Sequence, residues 1–258
     1  MTTVDLPGGD FEFVPGVFQY SAGVRARPGY RIERVRFARV LPLRAGFARI
    51  AALLHAAGRP LTAFCACELR SPAPFTEPGF RAFNQDYAAV LRDWGLLVTG
   101  ANPVARSNVC PEIDPPAEPG FHAFCYTVPD AAPANGSDSG AAMSFVVAGS
   151  GEVPEGRDNY HAHVVAPGDT SAPGMRAKAR FVLGEMERRM AALGADWSHV
   201  TDVQVYTVFD IHPLLADELV RRGAARHGVT WQFARPPIVG LDFEVDCRGV
   251  AIERVAAA

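Results

Sequence analysis

Asn102-Pro103-Val104-Ala105-Arg106-Ser107-Asn108-Val109-Cys110 decides how the rest of this chain is read. A polar, turn-prone run delivers one arginine ahead of a β-rich segment. The pair Ala234-Arg235 does the same after an equivalent succession of helical pattern, strand and helical pattern. Together they mark an internal repeat. An arginine at the mouth of a strand presents a planar fork of donors to a carboxylate, a geometry that lysine cannot match. The expectation is a two-lobed protein that holds a small carboxylated molecule.

Working outward toward the N-terminus, Phe80, Phe83, Tyr87, Val90, Leu91 and Trp94 recur at helical spacing up to Gly95, and Leu61–Leu69 is an apolar strand. A further helix starts at Leu43, carries Phe47, Ile50 and Leu54, and stops at Gly58-Arg59-Pro60. Alternation over Tyr30–Leu41 predicts strand, and Phe121–Val128 closes the first lobe. Pro129–Ala142 has neither periodicity nor bulk and suits a linker. Beyond it the order repeats: strands over Ser144–Val153 and His161–Val165, a helix over Met175–Leu193, a strand over Val203–Phe209, a helix over Leu214–His227, then Arg235 and a closing strand over Phe243–Val255. The predicted class is α+β, with helices on one face of a mixed sheet given twice. The expected divisions are a lobe over residues 1–128, a linker over 129–142 and a lobe over 143–258.

A chain of 258 residues that is 48% hydrophobic and 21% charged has material for substantial cores. A net charge of −3 supplies no broad cationic field, which argues against nucleic acid or an anionic membrane as partner. The residues after Met1 do not form a signal sequence, so a cytoplasmic protein is expected. Five cysteines without a CxxC pair fit reduced thiols, and Cys65 and Cys67 are expected as small core residues on one face of a strand.

Arg106 leads the candidate site, against the alternative of a surface ion pair with Glu112 or Asp114. Arg235 has the same two readings. Glu244 and Asp246 share a face of the closing strand: they either position water beside a substrate or decorate a solvent face. His122 stands in the matching strand of the first lobe as a base or a core histidine. His161-x-His163 lacks a third ligand at metal spacing, so no metal and no cofactor are expected. A P-loop and a Gly-x-Ser-x-Gly elbow are both absent.

The stretches Ser150-Gly151-Glu152-Val153-Pro154, Asp202-Val203-Gln204-Val205-Tyr206-Thr207, Phe83-Asn84-Gln85-Asp86-Tyr87 and Pro103-Val104-Ala105-Arg106-Ser107 resemble the RidA/YjgF/UK114 family of imine and enamine deaminases. The resemblance implies two tandem chorismate mutase-like domains without metal, in a homo-oligomer with a trimeric domain arrangement and sites at interfaces. It also implies that Arg106 grips the substrate carboxylate with Ser150 opposite, that Glu152 shares the site, and that Glu244 is the nearest match to the family's acid. Ser107, His122 and Arg235 join as substrate-binding candidates. The sequence departs from the family where Pro236 follows Arg235 and where the first lobe lacks the serine. The implied reaction is hydrolytic deamination of an enamine acid, with 2-aminomuconate, a product of aromatic ring cleavage, as preferred substrate. The alternatives are a metabolite-binding member without chemistry and a lyase for a chorismate-type acid.

Overall fold

The computed structural model describes residues 2–97, 100–130, 143–157 and 159–257. In chain order it contains β1 (Val4–Leu6), β2 (Phe11–Val14), β3 (Gly23–Ala26), β4 (Tyr30–Pro42), α1 (Leu43–Ala56), β5 (Phe64–Arg70), α2 (Glu77–Asp93), β6 (Ala105–Pro111) and β7 (Gly120–Pro129). There follow β8 (Phe145–Gly151), α3 (Ala172–Ala192), β9 (Asp202–Tyr206), α4 (His212–Leu214), β10 (Thr230–Gln232), β11 (Ala234–Arg235), β12 (Glu244–Gly249) and β13 (Ile252–Ala256). The linker expected over 129–142 falls, beyond Asp130, outside the described residues.

Two mixed sheets result, one ordered β1-β2-β3-β8-β12-β9-β10 and the other β11-β6-β5-β7-β4-β13. The inner orders β6-β5-β7-β4 and β10-β9-β12-β8 are equivalent, each with one parallel pair, β5 with β6 and β9 with β10. The ends of the chain cross over. β3 pairs with β8 through Val24 and Val146, and β13 runs parallel to β4 through Arg254 and Val35. The expectation of two tandem chorismate mutase-like domains, each with a sheet of its own, is therefore corrected: each sheet draws strands from both halves of the chain.

Each sheet carries its helices on the side turned away from the other. Phe47, Ile50 and Leu54 of α1 and Tyr87 and Leu91 of α2 pack with Phe64, Phe121 and Phe124 of the six-stranded sheet. The Phe47 ring meets Phe121 edge-on at 4.8 Å, a geometry worth about 1 kcal/mol beyond burial. Met175, Val182, Leu183, Met186 and Met190 of α3 cover Val203, Val205, Val245 and Cys247 of the other sheet. Thr76 caps α2 by accepting from Gly79 N at 3.2 Å, which fixes the start of the helix that faces Arg106.

Three predicted elements differ. Asn159 takes a left-handed conformation (φ 58°), and Tyr160–Ala162 follows as a 3-10 turn instead of a strand over His161–Val165. The helix expected over Leu214–His227 shortens to α4 and a π-helical turn at Leu215–Val220, because Gly223 and Gly228 sit at φ 92° and 94° and turn the chain. The closing strand splits: Thr201 Oγ1 donates to Val250 O at 3.0 Å and accepts from Val250 N at 2.9 Å, holding a corner between β12 and β13. All five cysteines are buried and free. Among the described residues, no helix is long and apolar enough to cross a membrane.

Candidate active site

β6 runs next to β5, with Arg106 level with Cys67, and period-two alternation puts Arg106 and Asn108 on one face and Ser107 on the other. The Arg106 guanidinium lies 4.7 Å from the centroid of Tyr87 and 5.6–5.8 Å from those of Tyr20, Phe80 and Phe83. These rings hold the cation by their faces and fix its plane. Nη2 donates to Asn84 Oδ1 at 2.5 Å. Among the described residues Nη1 has no partner although it is buried. It lines a narrow cleft, partly open to solvent, whose walls come from the β2–β3 loop (Gln19, Tyr20), α2, the end of β8 (Gly149, Ser150) and β12 (Glu244).

Two more buried polar atoms of this cleft lack partners among the described residues, Asn108 Nδ2 and Gln19 Oε1. The Asn108 amide is oriented by Ser71 Oγ, which donates to its Oδ1 at 2.9 Å. An unsatisfied buried polar atom costs about 1–3 kcal/mol, so a ligand that pairs with these atoms gains what the empty cleft lacks. Glu244 faces the same space. Burial, then the charge of Asp246, pushes its carboxyl well above the ordinary range and favours the protonated form. Room for it comes from Gly149: a Cβ there would stand 2.1 Å from Glu244 Oε1 and 3.0 Å from Ser107 Cβ.

Arg106, Ser150 and Glu244 thus share one cleft, and Ser150 Oγ donates to Gly151 O at 3.3 Å. Glu152 lies behind the wall. Its carboxylate accepts from Lys178 Nζ at 3.2 Å and from the backbone N of Asp242 and Phe243 at 2.6 and 3.1 Å, an anchor for the turn leading into β12. Arg235 is spent on Glu112, with contacts of 2.7 and 3.0 Å. Ser107 turns between the sheets and donates to Asp246 Oδ2 at 2.6 Å, where Gln204 Nε2 (3.0 Å) and Tyr206 OH (2.8 Å) also donate to Asp246. His122 sits at a second, open cleft with Arg34, Arg36 and Arg248. Burial, then the positive charge of Arg70, lowers its pKa to about 3, so it is neutral and a poor proton donor. His161 and His163 are exposed.

The layer between the sheets is ionic. Glu68 accepts from Arg34 at 2.6 and 2.9 Å, and despite burial, which opposes ionisation, Arg34 holds its carboxyl well below the usual range. Glu253 of β13 reaches the same layer, 3.1 Å from Arg34 and 2.5 Å from Arg248.

Sequence reasoning missed Gln19, Tyr20, Glu155 and Arg189. None lies in a motif; only Asn84 and Tyr87 stood in a quoted stretch, at i and i+3 on one helix face.

The family model described as 2-aminomuconate deaminase CnbZ matches residues 3–254. The chain belongs to the CnbZ family. A relative, 2-amino-5-chloromuconate deaminase of Comamonas testosteroni, is 46% identical over 249 residues, covering 96% of this chain and 96% of its own. CnbZ membership over residues 3–254 corrects the resemblance to RidA/YjgF/UK114. Among solved structures, cyanuric acid hydrolase from A. caulinodans aligns with a TM-score of 0.41 and 14% identity, covering 85% of this chain and 66% of the other. Within CnbZ, the expectation of an enzyme acting on a carbon–nitrogen bond, a deaminase of the muconate type, stands.

Proposed function

We propose that this protein hydrolytically deaminates a 2-aminomuconate-like enamine acid to the oxo acid and ammonia in the cleft beneath Arg106. The observation that carries the assignment to this cleft is the buried, ring-clamped guanidinium of Arg106 with an unused donor, in the same cleft as the buried carboxyl of Glu244. Arg106 Nη1 takes the substrate carboxylate next to the amine-bearing carbon, with Asn108 Nδ2 as a second donor. The enamine tautomerises to its imine, water adds at carbon, and ammonia leaves from the carbinolamine. Glu244 supplies the proton that makes the imine nitrogen a better electron acceptor, and Ser150 lines the wall opposite Arg106.

Ammonia release from 2-aminomuconate tests the activity. Arg106→Lys keeps a charge but loses the fork, so kcat/KM is expected to fall about tenfold to a hundredfold, the equivalent of one or two charged hydrogen bonds. Unchanged kcat/KM would remove Arg106 from the role. The proposal extends to a cytoplasmic homo-oligomer, for which exposed Trp231, Phe233 and Val239 give apolar surface, and which size-exclusion chromatography checks.

A further inference from the structure

Glu155 lies on the cleft wall beyond β8, with 18% of its side chain exposed. Behind it stands Arg189 of α3, a fully buried arginine whose Nη1 donates to the carbonyls of Ala148 (2.8 Å) and Gly149 (3.2 Å). Arg189 Nη2 is 2.8 Å from Glu155 Oε1, a buried oxygen that this charge pair holds in place. The Tyr20 hydroxyl also bonds Glu155, and Tyr20 is raised well above its ordinary pKa by burial and then by the Glu155 charge. The cleft therefore holds two carboxyl groups in different surroundings. Glu244 is fully buried, with Asp246 and Glu152 but also Arg189 and Arg70 around it, while Glu155 is partly exposed and pairs with Arg189 and the Tyr20 hydroxyl. Two carboxyls in contrasted environments divide the acid and base roles between them.

We propose that Glu155 is the general base that activates the hydrolytic water, with Arg189 and Tyr20 as its positioning residues. This rests on the deaminase function given above. The water oxygen bonds to the imine carbon as its proton passes to the Glu155 carboxylate, while the C=N π electrons move to nitrogen, which takes the Glu244 proton. In the carbinolamine the new hydroxyl returns a proton to Glu244 as C=O forms. The C–N bond breaks with its electrons on nitrogen, which takes the proton from Glu155 and leaves as ammonia. Both carboxyls end as they began, and no oxidant or reductant enters.

The test measures ammonia release from 2-aminomuconate by the full chain. Glu155→Gln should lower kcat about a hundredfold, within the range for loss of a general base, with KM within about threefold of wild type. Glu155→Ala should regain rate when formate is added, which a merely structural carboxylate would not allow. Tyr20→Phe removes a donor to the carboxylate and should lower kcat about tenfold with KM within about threefold of wild type. A kcat for Glu155→Gln within about threefold of wild type, or no formate rescue of Glu155→Ala, overturns the base assignment alone. No ammonia from the wild-type enzyme overturns the functional reading, and the base assignment with it.

Discussion

At the scale of single residues, Glu244 shows how position sets chemistry. A carboxyl at full burial beside Asp246 is driven toward its protonated form, whereas Glu68, equally enclosed but gripped by Arg34, is driven toward the ionised one. A group whose folded pKa is raised adds stability that is complete below its unfolded pKa, about 4.3, and is lost as pH rises toward the folded value. Glu244→Gln has no carboxyl to ionise on unfolding. Its urea midpoint should therefore decline less than that of the wild type between pH 5 and 8, while kcat falls about a hundredfold or more because the amide supplies no acidic proton. An equal decline in both proteins would show that Glu244 is ionised in the fold. Arg106 was legible in the sequence because its neighbours Asn102-Pro103 and Ser107-Asn108 mark the entry to a strand. Arg235 was left between a substrate fork and a surface ion pair: β11 crosses to β6 and pairs it with Glu112, a contact that local pattern could not choose.

At the scale of elements, helices with a continuous apolar stripe were legible, since Val182, Leu183, Met186 and Met190 of α3 all fall in one core. The segment after α4 was misread because its periodicity continues past Gly223, where backbone conformation ends the helix. β8 contributes to the cleft mainly by what it lacks. With Gly149→Ala, the new methyl would displace Glu244 Oε1 and press on Ser107, whose hydroxyl serves Asp246. Activity should drop at least tenfold with a thermal midpoint lower by several degrees, as expected for an overpacked interior costing about 1–3 kcal/mol. Wild-type kinetics in this variant would mean that Glu244 is not held against β8.

At the scale of the whole molecule, the two sheets face each other through ions, and Glu253 on the C-terminal strand joins Arg34 of one sheet to Arg248 of the other. Deleting the chain beyond Val250 removes β13, exposes the edge of β4 and leaves two buried arginines short of one acid each. The truncated protein should lose about 3–5 kcal/mol of stability and associate through its open edge, read by urea denaturation and light scattering. A monomer of unchanged midpoint would contradict this account. The doubled element order was visible in the sequence, whereas the exchange of chain ends was not, because β1–β3 and β13 carry no mark of the strand they will pair with.

That exchange bears on synthesis. Val24 leaves the ribosome early but must wait for Val146 before its ladder can form. Until then a two-ladder ribbon of β1, β2 and β3 offers an open side to any passing chain. Arg25 of β3 and Arg27 just after it place charge along that side and discourage premature association in the nascent polypeptide.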